Sequence, residues 1–168
     1  NSMQELLQHE KKIKANKKIS YYSYGRYGSS TTIELENILK ELEQAYHVFL
    51  TGTGFGGVAL AIMSLCRPGD EILVSDNVYG PTKEITEHLV KEFNINSKFY
   101  DPDNFEDLKN KITKKTKMII VENPGSSTFE FQDLSRIVNL AKKKKIFTFL
   151  DNTWGTPLYL KPLKLGFD

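Results

Sequence analysis

The chain has 168 residues, 39% hydrophobic and 26% charged, which suits an ordinary globular domain with a real core. Its 23 basic residues nearly balance 21 acidic ones, and a net charge of +2 leaves no electrostatic footprint for nucleic acid or an anionic membrane. The single cysteine, Cys66, cannot close an internal disulfide; no apolar run reaches spanning length; and the basic, polar N-terminus lacks the apolar centre of a secretory signal, so a cytoplasmic protein is the expectation.

Residues 1–32 read as a polar arm. Leu35, Ile38, Leu39, Leu42 and Tyr46 recur at helical spacing and predict a helix over 33–46, opened by a capping box of Thr31 and Glu34. Val48–Leu50 reads as a short strand running into the glycine-rich Thr51–Gly57. A second helix follows, with Ala59, Ile62, Met63 and Cys66 on its buried face, and Arg67-Pro68-Gly69-Asp70 stops it. The alternation repeats with a strand over 71–75, a helix over 81–93 with Pro81 in its first turn, a weaker strand over 97–100 and a short helix over 105–112. A buried strand over 118–122 comes next. It is followed by a helix over 133–143, with Leu134, Ile137, Val138 and Ala141 on one face, and a strand over 146–150.

Strands alternating with helices predict an α/β fold: a mainly parallel sheet with helices on both faces, binding ligands at the carboxyl ends of its strands. The segments that follow the strands carry polar, chemically capable groups: Thr51-Gly52, Ser75-Asp76-Asn77, Tyr100-Asp101, Glu122-Asn123 and Asp151-Asn152-Thr153. Gly52, Gly54 and Gly57 fit G-x-G-x-x-G ahead of a helix, where backbone N–H groups and the helix dipole favour a phosphate. Asp76, nineteen residues past Gly57, stands where a nicotinamide-binding domain keeps its ribose-binding acid. An NAD-dependent oxidoreductase is therefore a competing reading, and a tight turn is the plainer one.

Four further segments carry chemistry. In Tyr24-Gly25-Arg26-Tyr27-Gly28, a hydroxyl and a guanidinium two residues apart can face a phosphate, although such a segment taken alone is more often a surface loop than a site. Tyr79, between a strand end and a helix, can stack on a planar ring or cap the sheet edge. Asn123, ahead of Pro124-Gly125, can meet a ligand oxygen or belong to a turn. Asp151 can hold a proton on a pyridine nitrogen, making the ring an electron sink, or cap a loop.

Taken together and in order, these segments resemble the Cys/Met-metabolism family of pyridoxal-phosphate enzymes, over about Tyr21 to Asp168. YGRYGSST resembles the family's Tyr-x-Arg-x-Gly segment. VENPGSSTFE resembles the Glu-Ser-Pro-Gly-Ser of its β-lyase branch, and LDNTWGTPL the family's Asp-Asn-Thr segment, the Trp favouring that branch. The resemblance implies an aspartate-aminotransferase-like (fold type I) large domain over 33–168, with pyridoxal 5′-phosphate as cofactor and no metal. It implies that residues 1–32 reach a neighbouring subunit's site in a homodimer or homotetramer. The implied reaction is carbon–sulfur β-elimination on a sulfur-containing amino acid, cystathionine giving homocysteine, pyruvate and ammonia.

Residue by residue, Gly54 and Phe55 match the backbone donors to the cofactor phosphate, and Tyr24 and Arg26 the pair that reaches a neighbour's phosphate. Tyr79 matches the stacking tyrosine and Asp151 the acid on the pyridine nitrogen; Asn123 and Thr153 lie in the matching ligand-edge segments. The phosphate loop departs from the family's Ser-Gly-Met-Ala-Ala, reading Thr53-Gly54-Phe55-Gly56-Gly57. The family's Schiff-base lysine follows a Gly-x-Asp that here is Gly166-Phe167-Asp168, so that lysine and a C-terminal small domain are expected outside these residues. Lys161 and Lys164 match the preceding helix, and no catalytic residue is assigned within the chain. A fragment inactive by itself is the expectation, and a non-catalytic remnant of the fold is a further alternative.

Overall fold

The computed structural model describes residues 3–14 and 28–168, in two compact units, Asn1–Leu50 and Thr51–Asp168. The first unit contains α1 (Met3–Lys14) and α2 (Ser30–Glu43). α2 starts earlier than its apolar spacing suggests, because Ser29 rather than Thr31 is the N-cap. Ser29 Oγ accepts the Thr32 N–H, and Thr32 Oγ1 accepts the Ser29 N–H at 2.8 Å, a reciprocal box closed by Thr32 instead of Glu34. Gln44, in the left-handed region, ends the helix before Tyr46, which therefore lies outside it. Val48–Leu50 forms no strand, for it finds no ladder partner among the described residues.

The second unit runs α3 (Gly54–Leu65), β1 (Glu71–Ser75), α4 (Gly80–Glu84), a π-helical turn (Ile85–Leu89), α5 (Val90–Glu92), β2 (Asn96–Tyr100), α6 (Phe105–Lys111), β3 (Thr116–Glu122), α7 (Leu134–Lys144) and β4 (Phe147–Asp151). Two short helices, α8 (Thr156–Tyr159) and α9 (Pro162–Leu165), complete it. The single helix expected over 81–93 is interrupted. The buried Thr86 hydroxyl lies 2.9 Å from both the Thr82 and Lys83 carbonyls, competing with the helical ladder where it widens into the π turn. The stop after α3 is as the sequence suggests. The Arg67 guanidinium bonds the Ser64 and Cys66 carbonyls, and Asp70 accepts the Arg67 N–H at 2.7 Å.

The four strands among the described residues are parallel, in the order β2-β1-β3-β4. Strand alternation splits the core into two layers. Ile72, Val74, Met118 and Ile120 pack with Val58, Ile62 and Cys66 of the α3 segment, while Leu73, Ile119 and Val121 pack with Leu108 and with Leu134, Ile137, Val138 and Ala141 of α7. Met63, expected on the buried face of α3, is 37% exposed, and Val58 takes the inward place. Burial pushes the Cys66 thiol up to about 11, leaving it an inert core side chain.

Leu73 is fully buried in the second strand of the sheet's order. Leu73→Ala is expected to lower unfolding stability by about 2–5 kcal/mol, read from the urea midpoint at unchanged slope.

Candidate functional site

Because the strands are parallel, Ser75, Tyr100, Glu122 and Asp151 finish at one edge, with Ser75 registered against Tyr100 and Glu122 against Asp151. α3 reaches the same edge through its core face. Val58 shares a packed cluster with Val78, next to Tyr79, and with Phe149, two residues before Asp151.

The glycine loop becomes the first turn of α3. Thr53 is its N-cap, with Oγ1 accepting the Gly56 N–H at 2.9 Å and its carbonyl accepting the Gly57 N–H at 3.2 Å. The Gly54 and Phe55 N–H groups take no hydrogen bond among the described residues, as first-turn donors do, and stay available to an external anion. A Cβ on Gly54 would meet nothing within 4 Å, so the approach is open; one on Gly56 would press to 3.1 Å from Thr53 Oγ1.

Asp151 is half-buried. Its Oδ1 accepts the Thr153 N–H at 3.0 Å and the Thr153 hydroxyl at 2.6 Å, which orients the carboxylate and leaves Oδ2 uncommitted among the described residues. Thr153 thus spends its hydroxyl proton on Asp151. Asn123, 6% exposed, accepts the Gln132 N–H through Oδ1 at 2.7 Å, and its amide nitrogen takes no partner among the described residues. Tyr79 leaves its ring 52% exposed while its N–H donates to Glu122 Oε2 at 2.6 Å. Tyr24 and Arg26 lie outside the described residues.

The dinucleotide reading loses its footing here. The Asp76 carboxylate pairs with Lys83 at 2.5 Å, and the strand expected before the glycine loop does not form.

Sequence reasoning missed the groups that hold these residues. Glu122 and Gln132 are buried, as are Ser75 and Asn77. Gln132 links Ser75, Tyr100, Glu122 and Asn123, and Asn77 donates to Glu130 at 3.3 Å. The one available signal was Glu122 itself, an acid closing the apolar run Met118–Val121. A groove of about 270 Å³ that Gln132 and Tyr100 line with Asp101, Phe105, Phe131 and Arg136 lies over the start of α7.

Burial pushes the Glu122 carboxyl upward and the neighbouring Asp151 charge adds to this, against the Tyr79 N–H and Ser126 hydroxyl, which pull it down. An acid raised in the folded state contributes stability that is full below its unfolded value, about 4.3, and is lost as pH rises through the folded value. Glu122→Gln is therefore expected to raise the melting temperature relative to the parent at pH 7 and to give little difference near pH 4. Equal shifts at both pH values contradict this.

No helix among the described residues is long and apolar enough to cross a membrane. The family model described as Cys/Met metabolism PLP-dependent enzyme matches residues 3–168. A Saccharomyces cerevisiae protein with the provisional name cystathionine beta-lyase is 39% identical over 145 residues, 86% of this chain and 43% of its own length. The L-alanine/L-glutamate racemase of Wolbachia pipientis is 35% identical over 147 residues, 88% of this chain and 36% of that protein. A crystal structure from Campylobacter jejuni, provisionally an O-acetylhomoserine (thiol)-lyase bearing N′-pyridoxyl-lysine-5′-monophosphate, matches with a TM-score of 0.87 at 28% identity. That match covers 100% of this chain and 41% of the other. The chain thus spans about two-fifths of the length of the relatives it matches. With its parallel sheet and the segments set along one edge, it belongs to the Cys/Met-metabolism family of pyridoxal-phosphate-dependent enzymes.

Proposed function

We propose that Thr51–Asp168 supplies the cofactor-holding face of a carbon–sulfur β-lyase, with cystathionine as the substrate. The observation that carries the reading is Asp151: a carboxylate at the ligand edge, oriented by Thr153 through one oxygen, with the other oxygen uncommitted among the described residues. Its fit to a protonated pyridine is direct, since an N–H beside Oδ2 completes the carboxylate's hydrogen bonding. The Gly54 and Phe55 amides of α3, without a partner among the described residues, fit a phosphate, Tyr79 offers an exposed ring face, and the Asn123 amide nitrogen can donate to the phenolic oxygen that the ring bears. When bound, pyridoxal phosphate supplies an electron sink for the bond broken at the substrate's α-carbon. The chain's own work is to keep a proton at the pyridine nitrogen with Asp151, anchor the phosphate at Gly54 and Phe55, and cover one ring face with Tyr79. Tyr24 and Arg26 complete a neighbouring copy's phosphate site in this reading, which makes the working form a homodimer or homotetramer.

The β-lyase assignment draws on the VENPGSSTFE and LDNTWGTPL segments and on the name of the yeast relative. A second reading, amino-acid racemisation, is favoured by the Wolbachia relative. Both use the same cofactor face and differ in whether sulfur leaves. No lysine of the 168 residues is assigned the imine-forming role, so the reading places that group outside them.

The 168-residue chain is expected to bind pyridoxamine 5′-phosphate, which has no aldehyde to react with stray lysines. Asp151→Asn should weaken that binding about tenfold to a hundredfold, the worth of one charge-assisted hydrogen bond, measured by fluorescence titration. The same chain with pyridoxal phosphate should release pyruvate from cystathionine no faster than free cofactor. Joined to the family's lysine segment and C-terminal small domain, it should release pyruvate at enzymatic rates; inversion of L-alanine without pyruvate release favours the racemase reading instead.

A further inference from the structure

Glu122 has a position that neither packing nor charge balance explains. It is 3% exposed at the end of β3, and among the described residues no Lys or Arg pairs with it. Its neighbour in the ladder is another acid, Asp151. Burying a carboxylate without a cation is unfavourable, and a neutral side chain of the same shape would pack there at lower cost.

What Glu122 does is reach across to the next strand's loop. Its Oε2 takes the Tyr79 N–H at 2.6 Å, over a separation of 43 residues. Tyr79 is the N-cap of α4 and makes no side-chain capping bond; the Val78 N–H bonds the Ser75 carbonyl at 3.2 Å, and the bond to Glu122 holds the next N–H of the turn, the one from which the Tyr79 ring projects. On one side Val78 is buried in the core; on the other the Tyr79 ring is 52% exposed. Pinning the N–H therefore fixes the backbone from which the ring projects. Burial and Asp151 raise the Glu122 carboxyl, and a cationic ring brought to Asp151 would relieve both acids.

We propose that Glu122 is the positioning residue for Tyr79, holding the aromatic ring at its stacking angle over the bound cofactor. The inference rests on the cofactor reading above. It assigns Glu122 no contact with the reacting atoms.

The test uses the 168-residue chain, pyridoxamine 5′-phosphate, and two readouts: affinity by fluorescence titration and the circular dichroism induced in the ring's absorption band. Glu122→Asp keeps the charge but withdraws the acceptor by one methylene. It should lose the induced band and weaken binding about tenfold, near the low end for a charge-assisted hydrogen bond. Glu122→Gln restores the acceptor without the charge and should rescue the band. If Glu122 acts through Tyr79, the pair of substitutions is not additive: Tyr79→Ala with Glu122→Asp should bind no more weakly than Tyr79→Ala alone. An unchanged band in Glu122→Asp, no rescue by Glu122→Gln, or fully additive losses each overturn the proposal while leaving the cofactor reading intact. Failure of the unsubstituted chain to bind at all overturns the cofactor reading itself, and the proposal with it.

Discussion

Gln132 ties three strand ends together from inside the protein. Its main-chain N–H donates to Asn123 Oδ1 at 2.7 Å, and its side-chain nitrogen lies 3.0 Å from Ser75 Oγ and 3.2 Å from the Glu122 carbonyl. Its side-chain oxygen accepts the Tyr100 hydroxyl at 2.8 Å. Through these bonds the ends of β1, β2 and β3 are held in one arrangement. Burial raises the Tyr100 phenol, so it remains a neutral donor throughout the physiological range. A satisfied polar network under a sheet edge specifies geometry more sharply than apolar packing does, because each partner has a direction as well as a volume. Asn123, Glu122 and, through Glu122, Tyr79 inherit their positions from it.

The sheet carries two buried acids, Glu71 and Glu122, in opposite surroundings. Glu71, at the amino end of β1, is also buried. Although burial pushes its carboxyl up, the Lys98 ammonium at 2.5 Å and the Thr116 and Thr113 hydroxyls outweigh this and hold it below the usual carboxylate range. Glu122, at the carboxyl end, has a backbone N–H, a serine hydroxyl and another acid for company. One acid is stabilised by its partners, while the other is held at a cost to the fold at the edge where ligands bind in parallel α/β sheets.

Periodicity made most of the second unit legible. Leu134, Ile137, Val138 and Ala141 are the buried face of α7, and the apolar runs at Glu71–Ser75 and Met118–Glu122 are strands, because a sheet covered on both faces leaves a continuous apolar signature. Local hydrogen bonding was less legible. Ser29 outcompeted Thr31 as the cap of α2, and the Thr86 hydroxyl contributes to the widened turn between α4 and α5; both outcomes depend on rotamers that composition does not encode. Val48–Leu50 has the strand residues but no ladder, and a strand exists only through its partner. Of the residues proposed for the site, Tyr79, Asn123, Asp151 and Thr153 stand out in the sequence from their places after strands, and Gly54 and Phe55 from the glycine-rich loop ahead of α3. Glu122 and Gln132 could not be assigned their work, because they act across 43 and 57 residues of sequence on atoms, Tyr79 N–H and Ser75 Oγ, that no local pattern connects to them.

The central claim is that one edge of this sheet, with the first turn of α3, forms a site for a phosphorylated pyridine. It is tested most directly by following the backbone amide resonances of the 168-residue chain as pyridoxamine 5′-phosphate is added. The account predicts saturable shifts at the Gly54 and Phe55 amides, the two first-turn donors without a partner among the described residues, together with Tyr79 and Asp151. Shifts confined to other surfaces, or a response from inorganic phosphate equal to that from the whole cofactor analogue, would contradict it.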